Sequence, residues 1–159
     1  MWYNKDMKEQ IAYLAGFFDA DGYIGIVSGQ QGQRNVLVHR MRISIGGCDP
    51  RPLRLFQEMW GGRIYAVKRG WKSTHRQQFD YHSYNLGPDA NPQILYDMLP
   101  YLVVKRDQVR VALRYLRECY RGYRLGGHRR PPLTDWELGQ RELYKRLLQR
   151  MKRRDISQL

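Results

Sequence analysis

Residues Leu14-Ala15-Gly16-Phe17-Phe18-Asp19-Ala20-Asp21-Gly22 carry an apolar helical pattern straight into two acids and stop at a glycine. The C-terminal end of a helix bears partial negative charge, so carboxylates placed there are electrostatically disfavoured. Two environments resolve that conflict. Water can solvate both carboxylates around a glycine cap. A hard divalent cation such as Mg²⁺ or Ca²⁺ can instead take carboxylate and backbone carbonyl oxygens as ligands.

Working outward, the spacing predicts a first helix from near Asp6, where Asp6 and Glu9 have capping-box spacing. Ala12, Gly16 and Ala20 recur every fourth residue and form one stripe of small side chains. Such a stripe lets another backbone approach closely, from a second copy or from within the chain. Ile11, Leu14, Phe17 and Phe18 lie off the stripe and are expected to face the domain's own core.

Residues 23–28 read as a strand with Ile24 and Ile26 on one face, and a polar loop follows over 29–35. Residues 36–45 form a second strand: Met41, Ile43 and Ile45 point one way, Arg40, Arg42 and Ser44 the other. Asp49 and Pro50 start a helix carrying Leu53, Phe56, Met59 and Trp60, which Gly61 and Gly62 end. A third strand over 63–69 points Ile64 and Ala66 inward and Arg63, Tyr65, Val67 and Arg69 outward. After a basic loop, a tyrosine-rich fourth strand runs over 79–86. A short helix follows Asn91-Pro92, and a longer one runs to about Tyr120. The order α-β-β-α-β-β-α predicts an α+β domain. Its four-stranded antiparallel sheet has helices on one face and leaves the other to solvent or ligand.

Residues 121–133 are rich in Arg, Gly and Pro and read as a linker. Thr134 and Glu137 form a capping box for a last helix, with Trp136, Leu143, Tyr144, Leu147, Leu148 and Met151 as one apolar stripe. The expected division is a core domain over 1–120, then a basic linker and an amphipathic helix over 121–159 packed on it.

The formal net charge is +13 and the pI ≈ 10.0. That balance points to a polyanionic partner. Arginine far outnumbers lysine, and its planar fork donates paired hydrogen bonds to guanine edges and phosphates. No run approaches the roughly 18–20 apolar residues of a membrane span, and the N-terminus lacks the apolar stretch of a signal peptide. Cys48 and Cys119 are isolated thiols that suit a reducing compartment, and His39, His75, His82 and His128 lack zinc-ligand spacing.

The string over 14–22 resembles the signature of the LAGLIDADG homing endonucleases, with Phe17 and Phe18 where the signature has Leu and Ile. The segment Pro100-Tyr101-Leu102-Val103-Val104-Lys105-Arg106-Asp107-Gln108 is similar to a Pro-Tyr-Leu-x-x-Lys-x-x-Gln string that these proteins often carry. The signature occurs once, and single-motif members look like homodimers whose signature helices pack across a two-fold axis. The resemblance implies a saddle-shaped αββαββα sheet and double-strand cleavage of a long pseudo-palindromic DNA site, leaving 3′ overhangs. It implies Asp21 as a metal-ligating carboxylate with the Ala20 carbonyl as second ligand, and Mg²⁺ as the ion, with Mn²⁺ or Ca²⁺ able to occupy the same sites. Asp19 is implied either as a catalytic group or as a brace between helix ends. Lys105 would stabilise charge on the phosphate, and Ala12, Gly16 and Ala20 would form the dimer interface. Some members carry a water-ordering Gln at the end of the second strand, where Gly46 and Gly47 stand here.

An exposed antiparallel sheet fits a DNA major groove and its side chains can reach base edges. The candidate DNA contacts are Gln31, Gln33, Arg34, Arg40, Arg42, Ser44, Arg63, Tyr65, Arg69, Tyr81 and Ser83. The basic last helix is expected to touch phosphates away from the cleavage centre. The expected partners are double-stranded DNA and a second copy of the chain, with no membrane and no small-molecule substrate. The expected location is the cytoplasm or nucleoid of a bacterial, archaeal or phage host, or an organelle in a eukaryote. An intron RNA maturase of the same fold is the alternative, and a DNA-binding regulator without chemistry is a third reading.

Overall fold

A computed structural model describes residues 5–31, 36–67, 78–86, 92–119 and 133–152. Its first helix, α1 (Lys5–Asp21), runs through both acids of the signature and ends on the second. Lys5 is already helical, so Asp6 lies in the first turn, where its charge complements the helix dipole. Ile11, Leu14, Ala15 and Phe18 are buried and Phe17 packs partly against them. Gly16 and Ala20 stay exposed.

Strands β1 (Gly22–Gln31), β2 (Val36–Gly47), β3 (Arg63–Val67) and β4 (Gln78–Leu86) form one antiparallel sheet in the order β1-β2-β4-β3. Directly paired residues share a face. The register Ile24↔Ile43, Ile26↔Met41 and Ile45↔Tyr81 therefore gathers the apolar side chains beneath the sheet. Edge strand β3 is shallower than expected: Ile64 is half-buried and Ala66 is exposed.

Helix α2 (Pro50–Trp60) starts as read: Asp49 Oδ1 accepts the Arg51 backbone N–H at 2.9 Å. It ends at Gly61, whose φ of 72° favours glycine. Leu53 and Phe56 enter the core, and the Phe56 ring centroid lies 5.5 Å from that of Tyr81. Helices α3 (Gln93–Met98), α4 (Arg106–Cys119) and α5 (Asp135–Lys152) complete the layer.

The capping box of α5 forms as expected: Thr134 N–H donates to Glu137 Oε2 at 2.9 Å and Glu137 N–H to Thr134 Oγ1 at 3.3 Å. Its apolar stripe is only partly buried. Tyr144 and Leu148 join the main core and Met151 packs at its margin, whereas Trp136, Leu143 and Leu147 are exposed. The helix is held instead by polar ties: Tyr144 Oη to Glu118 Oε2 at 2.5 Å, Arg141 to the Cys119 carbonyl at 2.7 Å, and Lys145 to Ser28 Oγ at 2.8 Å. No described helix is long and apolar enough to cross a membrane.

Candidate active site

The two acids at the end of α1 meet different surroundings. Asp19 Oδ2 accepts the backbone N–H of Val103 at 2.6 Å and of Val104 at 3.1 Å, and Oδ1 accepts that of Lys105 at 2.8 Å. These amides precede α4, and the Lys105 carbonyl accepts the Val109 N–H that opens the helix. Asp19 thus occupies an anion site at the positive end of α4. Its repulsion from its own helix end is offset inside the chain. Both oxygens of this carboxylate are thus engaged by the backbone that leads into α4.

Asp21 has no such arrangement. It is exposed, and among the described residues its carboxylate makes no hydrogen bond or ion pair. Lys105 lies nearby: its Nζ donates to the Asp19 carbonyl oxygen and sits 6.0 Å from the Phe18 ring centroid. Burial pulls the Lys105 ammonium below its ordinary pKa, while the negative charges of Asp19 and Asp21 work to raise it. The geometry of the element ends therefore brings Asp19, Asp21 and Lys105 to one place. Asp21 and the Ala20 carbonyl present hard oxygen donors that suit Mg²⁺ or Ca²⁺. No cluster of three or more His, Cys, Asp or Glu side chains able to hold a metal occurs among the described residues.

Beside this corner lies the open face of the sheet. Arg40 and Arg63 are exposed, and Ser44 sits between Tyr23 and His82 in register. Arg42 Nη2 lies 2.9 Å from Nδ1 and 3.2 Å from Nε2 of His82, and donates to whichever ring nitrogen carries no proton. Tyr65 packs edge-on against His82 at 5.4 Å, and Asp80 Oδ2 lies 3.9 Å from His82 Nε2. Burial and the Arg42 charge pull His82 below the usual histidine pKa. Gln31 ends β1 opposite Val36. Gln33, Arg34 and Arg69 lie outside the described residues.

Tyr81 and Ser83 require a correction. Both are buried on the helix-covered face, and Tyr81 Oη donates to the Gly61 carbonyl at 2.8 Å. Burial pushes the Tyr81 phenol up to about 12. The open face of β4 carries Gln78, Asp80 and His82 instead. Their polar alternation against Phe79 and Tyr81 was the signal available in the sequence. These residues also bear on Gly46: a Cβ there would lie 3.0 Å from Asp80 Oδ1 and 3.2 Å from Gln78 Nε2. Polar groups from β4 fill the place that a side chain on β2 would take.

The α-β-β-α-β-β-α order with one open four-stranded antiparallel sheet is the fold of solved homing endonucleases. No protein-family model and no curated protein matches the sequence. Solved structures do match. The homing endonuclease I-CvuI, in complex with a DNA target that remained uncleaved in 2 mM Mg, is 21% identical with a TM-score of 0.68, over 93% of this chain and 85% of that one. The archaeal intron-encoded homing endonuclease I-Vdi141I, complexed with DNA, is 18% identical with a TM-score of 0.64, over 95% and 87%. The homing endonuclease I-TnaI is 15% identical with a TM-score of 0.59, over 90% and 93%.

Proposed function

We propose that this chain is a metal-dependent, site-specific DNA endonuclease that works as a homodimer. The observation that carries this reading is the contrast between the two acids. Asp19 is satisfied by amides of its own chain, whereas Asp21 is left exposed beside Lys105 at the edge of a basic sheet. A carboxylate at a helix C-terminus without hydrogen-bond donors is unfavourable, the nearby Lys105 charge offsets that only in part, and a bound cation would complete the compensation.

Asp21 and the Ala20 carbonyl would hold Mg²⁺, with the remaining ligands from DNA phosphate, water and a second copy of the chain. When bound, the ion supplies Lewis-acid polarisation of the scissile phosphate and an acidified water. The Lys105 ammonium, fixed by the Asp19 carbonyl, would stabilise negative charge developing on the phosphate oxygens. Arg40, Arg42, Ser44, Arg63 and Tyr65, joined by Asp80 and His82, would lie along the major groove. Phosphate contacts position such a sheet and base-edge contacts specify the sequence. Tyr13, Gly16 and Ala20 expose one side of α1 to a second copy. Similarity of fold to homing endonucleases complexed with DNA supports this reading.

The test is selection of cleaved sites from a randomised duplex library in Mg²⁺, then comparison of wild type with Asp21→Asn on the winning site. The expected result is double-strand cleavage by wild type, lost in Asp21→Asn while binding persists. Equal cleavage by both proteins would reject the reading. An RNA-splicing role would not require Asp21 and Lys105 to act together, so it predicts splicing that survives Asp21→Asn.

A further inference from the structure

Helix α5 reaches the same corner from the opposite end of the chain. Lys145 ties to Ser28, and seven residues later Lys152 lies against Tyr23 and Gly25, so α5 runs antiparallel to the first half of β1. The Lys152 ammonium sits 3.6 Å from the Tyr23 ring centroid. Gly25 makes room for this arrangement: a Cβ there would lie 2.5 Å from Tyr23 Oη and 2.9 Å from Lys152 Nζ. A cleft of about 280 Å³ is lined by Gly22, Tyr23, Val104, Lys105, Asp107 and Lys152 among others, two ammonium groups against one carboxylate. It opens next to Asp21, the residue before Gly22.

Among the described residues no carboxylate is paired with Lys152. A sheltered ammonium without a counter-ion is an unfavourable group, and an anion entering the cleft would relieve it. The DNA backbone is the anion this fold would bring there.

We propose that Lys152 is a phosphate-binding residue of the cleavage centre, delivered by α5 into the cleft beside Lys105 to contact a phosphodiester next to the scissile one. This inference rests on the nuclease reading and moves the C-terminal helix from a distant phosphate contact to the site itself. Partial burial pulls Lys152 down to about 8, the direction expected of an ammonium with no carboxylate paired with it.

The experiment uses the full chain and a duplex selected by binding in Ca²⁺, so that probe selection does not depend on cutting. Lys152→Met and Lys152→Gln remove the charge, and Lys152→Arg keeps it. The two neutral variants are expected to reduce the slope of log binding constant against log salt by about 0.9 per protomer. Single-turnover cleavage in Mg²⁺ is expected to fall about tenfold or more, with Lys152→Arg recovering most of both. Two neutral variants guard against one failing to fold. A neutral variant that melts earlier yet keeps the wild-type salt slope and cleavage rate would overturn the proposal and leave Lys152 as a brace on Tyr23. If wild type binds without cutting, the nuclease reading fails and the salt slope still decides the role of Lys152.

Discussion

Lys105 is bound to Asp19 at both ends: its backbone N–H donates to Asp19 Oδ1 at 2.8 Å, and its Nζ donates to the Asp19 carbonyl oxygen. One residue of α1 thereby fixes both the start of α4 and the direction of the ammonium. Asp19→Ala would leave three amides without their charged acceptor, for a loss of about 1–3 kcal/mol by analogy with other charged hydrogen bonds. Cleavage should fall as well, because Lys105 loses its anchor. Denaturant melts and single-turnover rates check this together. A variant with unchanged stability would show that water replaces the carboxylate at no cost.

Asp21 should behave in the opposite sense. Its carboxylate faces the negative end of α1 with no hydrogen bond or ion pair among the described residues, and only the more distant Lys105 charge acts on it. Asp21→Asn removes that repulsion and should stabilise the metal-free protein by about 0.3–1 kcal/mol, while abolishing cleavage. Gain in stability with loss of activity is the signature of a residue placed for chemistry. Melting in EDTA is the measurement, and a lower melting temperature for Asp21→Asn would count against the functional placement. For wild type, Mg²⁺ should raise the melting temperature in the presence of DNA, and EDTA should reverse the gain.

Gly16 tests the dimer. A Cβ at this position would meet nothing within 4 Å. Gly16→Leu is therefore harmless to a lone chain and improves helix propensity by up to about 0.8 kcal/mol. If two α1 helices pack across the small stripe, the same change forces them apart. Size-exclusion with light scattering should show a wild-type dimer and a monomeric variant that melts no earlier than an isolated protomer. A Gly16→Leu dimer would place the interface elsewhere.

How far the sequence could be read depended on whether an interaction was local. The inward and outward faces of β2 were legible because Met41, Ile43 and Ile45 alternate with Arg40, Arg42 and Ser44, and the register keeps that alternation. The caps of α2 and α5 were legible because Asp49 and Thr134 bond within three residues. The amide site around Asp19 joins residues 84 to 86 positions apart, and no local pattern encodes it. Lys152 reaches Tyr23 across the whole fold in the same way. The stripe on α5 misled because apolar spacing tells which residues share a face, while burial also needs a surface to cover them, and Trp136 and Leu143 have none among the described residues.

Tyr81 separates packing from recognition. Its ring lies between Phe56 and the α2 exit, and its hydroxyl holds the Gly61 carbonyl. Tyr81→Phe should cost about 0.5–1.5 kcal/mol and leave DNA affinity unchanged. Tyr65→Ala, on the open face, should do the reverse. Urea melts beside binding titrations distinguish the two. A loss of affinity in Tyr81→Phe at unchanged stability would return Tyr81 to the DNA surface.

Stability should also fall in mild acid. Burial holds His39 below its ordinary 6.5, against the opposing pull of Glu142, whose Oε2 lies 3.4 Å away, and with help from Lys145 and Arg141. Burial and Arg42 do the same to His82, opposed by Asp80. A group with a depressed folded-state pKa binds fewer protons in the folded than in the unfolded chain once pH drops below the unfolded value. Stability is therefore full above about pH 6.5 and declines as pH falls from there towards the lower folded-state values. Glu142 is itself held below its ordinary 4.5, so its own effect begins at lower pH and leaves the window between 5 and 6.5 to the histidines. Melting temperatures at pH 7.5 and 5.5 are the measurement, for wild type and for a His39→Gln, His82→Gln double variant that cannot titrate at either position. The double variant starts from its own baseline, and the quantity compared is the drop between the two pH values. Wild type should show the larger drop; equal drops would mean that neither ring resists protonation in the folded chain.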